Sequence, residues 1–124
     1  MKERLKRYRR TIVEIEIEEH RRAALADVCG YGAERARDAI GARLRLLREE
    51  EEAEHRALSE LINGLPTPEQ RQVLYARYFD GHAWAEVTAV VFGRRPDFLE
   101  KADSYERRVY RLHGSALANL NRMK

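Results

Sequence analysis

Ile40, Leu44, Leu47, Leu58 and Leu61 fall on one stripe of a continuous periodic run from 33 to 63. Apolar residues three and four positions apart share one face of an α-helix, so this run predicts a single long helix. Globular helices average about 11–12 residues, so a helix this long dictates the architecture around it. Its apolar stripe needs another helix to cover it. Glu51 and Glu54 take the two stripe positions between Leu47 and Leu58, and "REEEEAEHR" is a polar gap in the seam. The pairs Arg45–Glu49, Arg48–Glu52 and Glu52–Arg56 are four residues apart, each worth about 0.3 kcal/mol, so this section is expected to be a solvated helix face.

The segment before it, 2–27, carries two signals. "VEIEIEE" alternates apolar and acidic residues, as a strand would. Over a longer window Leu5, Tyr8, Ile12 and Ile15 form a helical seam, and no turn residue bounds the alternating part. A helix is therefore expected, ended by "CGYG" at 29–32, where Gly30 and Gly32 suit a helix end. The seam is too thin to bury two exposed helices alone. It is expected to pack on a second copy of the chain or on the C-terminal half.

"NGLPTPEQ" at 63–70 marks the domain boundary. Asn63-Gly64 ends a helix, Thr67 is an N-cap, Pro68 fits the first helical position, and Gln70 completes a capping box. The expected elements after it are a helix over 68–79 burying Val73, Leu74 and Tyr78, and a turn at "DGH", 80–82. A short helix over 83–92 buries Trp84, Val87 and Val91. A loop over 93–103 and a final helix over 104–122, with Ser104 or Asp103 as N-cap, complete the chain. The domains are thus 1–64, a helical hairpin or oligomerisation region, and 65–124.

Charge is distributed unevenly. Residues 1–66 hold 14 basic and 14 acidic side chains, whereas 67–124 hold 10 basic and 7 acidic, so the whole excess of +3 lies in the second half. Within the last helix, Val109, Leu112, Ala116 and Leu120 line one side. Arg107, Arg111, Gly114, Ala118 and Arg122 line the other, flanked by Ser104 and Arg108. A mid-helix glycine costs about 1 kcal/mol relative to alanine. Arginines with small residues between them suit a helix laid in a DNA major groove, where the backbone comes close and guanidinium groups reach phosphates and guanine edges.

The stretch "LPTPEQRQVLYARYFDGHAWAEVTAVVFG", 65–93, followed by "SYERRVYRLHGSALANL", 104–120, resembles region four of bacterial sigma factors, the part that reads promoters. Leu65-Pro66, Arg71, Val73-Leu74, Arg77-Tyr78, Gly81, Glu86-Val87, Arg108-Val109, Ala116-Leu117 and Leu120 occupy the places of that pattern. With Trp84 and "VYRLH" at 109–113, the chain looks closer still to ArpU/RinA-type late-gene regulators of phages. The resemblance implies a helix-turn-helix with 83–92 as supporting helix and 104–122 as recognition helix. It places base reading on Glu106, Arg107, Tyr110 and Arg111. The opening pair is inverted to Glu-Arg, so the sigma factors' own promoter sequence does not carry over. The turn at 93–103 is also longer than in the family, and its Arg94, Arg95 and Lys101 are candidates for DNA backbone contacts together with Ser104, Arg108 and Arg122.

No catalytic or cofactor motif competes with this reading. His20, His55, His82 and His113 lack metal-ligand spacing, and there is no Gly-rich phosphate loop or nucleophile motif. Cys29 is the sole cysteine, which excludes an internal disulfide and fits a reducing compartment. Tyr8, Tyr31 and Tyr75 are read as packing residues. "MKERLKRYRR" lacks the apolar core of a signal peptide, and no apolar run spans a bilayer. The expectation is an all-α, non-enzymatic, cytoplasmic homodimer with no cofactor, metal or membrane partner. It binds duplex DNA in a sequence-specific manner as a phage or prophage transcriptional regulator, an activator. A small terminase-like DNA-packaging subunit, or an interaction module docking on RNA polymerase, are the alternatives.

Overall fold

A computed structural model describes residues 1–123. These residues form an all-helical protein: α1 (Lys2–Ala24), α2 (Tyr31–Asn63), α3 (Pro68–Leu74), a π-helical turn (Tyr75–Phe79), α4 (Trp84–Phe92) and α5 (Ala102–Met123). Among the described residues no helix is long and apolar enough to cross a membrane. The chain divides into two compact units. One comprises Arg7–Ala57; the other comprises Met1–Lys6 and the chain from Leu58 onward.

In the Arg7–Ala57 unit the alternating "VEIEIEE" is helical, and its glutamates meet arginines of α2. Glu14 lies 3.3 Å from Arg43 and Glu19 3.0 Å from Arg48. Further back on α1, the Tyr8 hydroxyl donates to Glu51 at 2.7 Å and lies 2.9 Å from His55 Nδ1. Tyr8 pairs with Glu51, Glu18 lies 3.8 Å from Arg43, and the Leu25 carbonyl just past α1 accepts from Arg37, so the two helices run antiparallel. The glutamate gap is therefore not merely a solvated face. Glu51 accepts the hydrogen bond of the buried Tyr8, and burial followed by that bond raises the tyrosine's pKa. Ile40, Leu44 and Leu47 are buried as their stripe predicts.

The connection between these helices is held by one side chain. α1 ends at Ala24, three residues short of expectation. The Arg37 guanidinium donates to the carbonyls of Leu25 at 2.6 Å and Val28 at 2.7 Å, satisfying acceptors that a helix end leaves open. Gly30 at φ +112° makes the turn that L side chains resist. Cys29 is exposed. Tyr31, expected to pack, is 72% exposed where it opens α2 beside the glycine turn, and its hydroxyl accepts a hydrogen bond from Arg35, whose guanidinium lies 5.7 Å from the ring centroid.

The other unit is built on Val73, Ala76, Val87, Phe92 and Val109, with Trp84, Val91, Phe98, Tyr105 and Leu112 packed around them. At its start the stripe of α2 buries Leu58 and Ile62, and Leu61 is only half-buried. At the start of α3 the Thr67 hydroxyl accepts from the Gln70 amide at 3.2 Å and Pro68 takes the first turn, but the Gln70 side chain accepts from Asn119 of α5 at 3.1 Å in place of the reciprocal bond of the expected capping box. The Arg71 guanidinium donates to the Leu65 carbonyl at 2.6 Å and ties the boundary loop to α3. Beyond Leu74 the helix widens to a π-helical turn whose hydrogen bonds reach one residue further than those of an α-helix, as in the bond from the Asp80 amide to the Tyr75 carbonyl. In α4, Val87, Thr88 and Phe92 are buried while Trp84 and Val91 are half-buried. The Ala83 amide donates to Glu86 at 2.7 Å, which satisfies one open donor at the start of α4.

Candidate nucleic-acid interface

α5 is the most sharply two-sided helix of its unit. Val109, His113, Ala116 and Leu120 are buried and Leu112 is half-buried. On the opposite side Ser104, Arg107, Arg108, Arg111, Gly114, Ala118 and Arg122 are all exposed, as the 3.6-residue period requires. A Cβ built on Gly114 meets no atom within 4 Å. The fold itself therefore has no need of glycine there.

α5 begins at Ala102, two residues before the expected start. Ser104 and Asp103 consequently lie inside its first turn and neither is the residue before it. The reason lies in the preceding segment, which is a succession of bonded turns. The amides of Arg95, Phe98, Lys101 and Tyr105 bond to the carbonyls of Phe92, Arg95, Asp97 and Lys101. Asp97 accepts from the Tyr105 hydroxyl at 2.6 Å, and its other oxygen lies 3.4 Å from Lys101 Nζ. That tyrosine hydrogen bond is the chief cause holding the Asp97 carboxyl below its usual pKa. The rings of Phe98 and Phe92 both stack on Tyr105, at 6.0 and 5.0 Å between centroids.

This bracing brings two of the candidate backbone arginines to one ring. The guanidinium of Arg108 lies 5.0 Å from the centroid of Phe92, and that of Arg95 lies 5.9 Å from it. Phe92 is 1% exposed, so it anchors both side chains to the core from two different elements. Arg94 is exposed in the same segment. Arg107 and Ser104 share a shallow depression with Leu99, Glu100, Lys101, Ala102 and Asp103 at the start of α5. Arg122 is bonded to Asn119 on its own helix.

The four base-reading candidates divide in two. Arg107 and Arg111 extend from the exposed face. Tyr110 and Glu106 are tied to each other, the hydroxyl donating to the carboxylate at 3.1 Å, with the tyrosine ring 5.1 Å from Trp84. Partial desolvation, then the bond to Glu106, raises the Tyr110 pKa. Trp84, expected to be buried, is half-buried and acts as a hub. It lies under the Arg77 guanidinium at 4.4 Å and edge-on to His113 at 4.9 Å, and Arg77 also donates to the His82 carbonyl at 3.0 Å. The residues that sequence reading did not single out are Asp97 and Tyr105, the pair that stiffens the long turn. The aromatic residue and the acid eight positions apart were visible, but no local motif joins them.

Among the described residues no cluster of histidine, cysteine, aspartate and glutamate could hold a metal ion. The chain matches no protein-family model, no curated protein and no solved structure.

Proposed function

We propose that the protein is a sequence-specific duplex-DNA-binding regulator of transcription, an activator of phage or prophage genes. In this reading α4 and α5 act as a helix-turn-helix and α5 is the recognition helix. The observation that carries the reading is the composition of one exposed surface. Arg107 and Arg111 project from α5 around an uncrowded Gly114, while Arg95 and Arg108 converge on Phe92 beside them. Guanidinium groups on the outer face are suited to guanine edges, and the anchored pair to phosphate oxygens. The bonded turns of 93–101 support it, because a fixed loop loses little conformational freedom when it binds.

Selection from a random duplex library tests the proposal. A recovered consensus whose strength depends on Arg107 and Arg111 supports it. Recovery of unenriched sequence after repeated rounds refutes sequence-specific binding.

A further inference from the structure

We infer that the cleft between α1 and α2, beside their connecting turn, binds a small oxyanion carried on an apolar body, a carboxylate or a phosphate monoester. The inference does not depend on the DNA-binding reading. The cleft has a volume of about 320 Å³, at the lower end of the range for small-molecule sites. Its floor is apolar. Leu44 of α2 is 1% exposed, and Ala23 of α1 and Ala26 just beyond α1 add methyl groups only. Its rim is cationic, with Arg22, Arg37 and Arg48 set against a single acid, Glu19.

The three guanidinium groups are not equally occupied. Arg48 is neutralised by Glu19 at 3.0 Å. Arg37 spends one nitrogen, Nη1, on the carbonyls of Leu25 and Val28, which fixes its position, while its charge pairs with no carboxylate among the described residues. The Arg22 side chain makes neither a hydrogen bond nor an ion pair among the described residues, yet it rests on α2. A Cβ built on Gly41 would stand 3.4 Å from its Cζ and from one of its Nη atoms. A mid-helix glycine costs about 1 kcal/mol relative to alanine, and here it leaves the surface of α2 open where that planar group lies. The cleft therefore keeps the charges of Arg22 and Arg37 without a counter-charge, above an apolar floor. A guanidinium takes a carboxylate or a phosphate through two parallel hydrogen bonds. A hydrocarbon body attached to that group leaves water over Leu44, Ala23 and Ala26. A cationic ligand would find only Glu19, which Arg48 already holds.

The test is isothermal titration calorimetry of the full chain with hexanoate and with hexyl phosphate, beside hexanol and hexylammonium as neutral and cationic probes of the same chain length. Arg22→Gln removes the free charge, and Ala26→Glu sets a carboxylate at the edge of the floor. Both positions are exposed, and circular dichroism establishes that each variant keeps the parental helix content. Arg45→Gln, exposed on α2 and outside the cleft, is the control. At least one of the two anions is expected to bind at one site per chain, with the tighter of the two identifying the head group, while hexanol and hexylammonium do not bind. Arg22→Gln and Ala26→Glu are each expected to raise the Kd about ten-fold or more, and Arg45→Gln to leave it unchanged. No binding of either anion overturns the inference. So does hexanol binding as tightly as the anions, or either cleft variant binding them like the parent.

Discussion

The Tyr78 hydroxyl lies 2.8 Å from Nε2 of His113, and the two rings stack at 5.8 Å between centroids. This contact joins the π-helical turn to the buried side of α5. His113 is 8% exposed, and burial, aided by the nearby charges of Lys2 and Arg77, lowers its pKa from 6.5 to about 4. The imidazole is therefore neutral at pH 7. It shares one hydrogen bond with the tyrosine whichever partner donates.

The consequence is an acid-sensitive fold. Between about pH 4 and 6.5 the unfolded chain binds a proton at His113 that the folded chain does not, so stability falls as pH drops through this window and the loss is complete below it. The contribution is on the order of 3 kcal/mol. Thermal melts from pH 7.5 to 4 should show a steeper decline for the parent than for a His113→Gln variant. Equal slopes would contradict the assignment.

Phe92 is expected to matter twice. Phe92→Ala empties a position in the centre of the α3–α5 core and should cost about 3–5 kcal/mol in chemical denaturation. The conservative Phe92→Leu should keep most of the stability but release Arg95 and Arg108 from the ring. If these arginines hold DNA phosphates, it should weaken binding to all duplexes alike, without changing which sequence is preferred.

Two glycines should respond in opposite senses. Gly81 sits at φ +74° in the turn between the π-helical segment and α4, so Gly81→Ala should destabilise by about 1 kcal/mol. Gly114 has open space around it, so Gly114→Ala should stabilise the helix by about 0.5–1 kcal/mol. If α5 lies against DNA, the same methyl group obstructs the approach and lowers duplex affinity. A variant that is both more stable and a weaker binder separates the two roles of the position. Denaturant midpoints and duplex titrations on the same samples measure this.

Features that arise from neighbouring residues were legible in the sequence. The Thr67 cap, Pro68 at the start of α3 and the two faces of α5 depend on local stereochemistry and appear as read. The stripe from Ile40 to Leu61 repeats on average every 3.5 residues, while a straight helix has 3.6 per turn. That difference drifts by about 20° per heptad. Carried from Ile40 over three heptads, the drift moves the buried position from Leu61 to Ile62.

Contacts between distant parts of the chain were not legible. Glu51 looked like a gap in a seam because its partner, Tyr8, is 43 residues away. The widening of the helix at Tyr75–Phe79 has no residue signature, since tertiary packing can override propensity there. For the candidate interface, the exposure of Arg107 and Arg111 followed from periodicity. The convergence of Arg95 and Arg108 on Phe92 required the folded turn that Asp97 and Tyr105 hold together.

The most direct test of the DNA-binding account is fluorescence anisotropy of the full chain with a labelled random-sequence duplex at several salt concentrations, beside an Arg107→Ala/Arg111→Ala variant and an Arg95→Ala/Arg108→Ala variant. The account predicts binding that weakens steeply with salt, through release of counterions from the phosphates. It also predicts a shallower salt slope, by about two contacts, for the Arg95/Arg108 variant. No binding by the parent even at the lowest salt, or both variants binding like the parent, would contradict it.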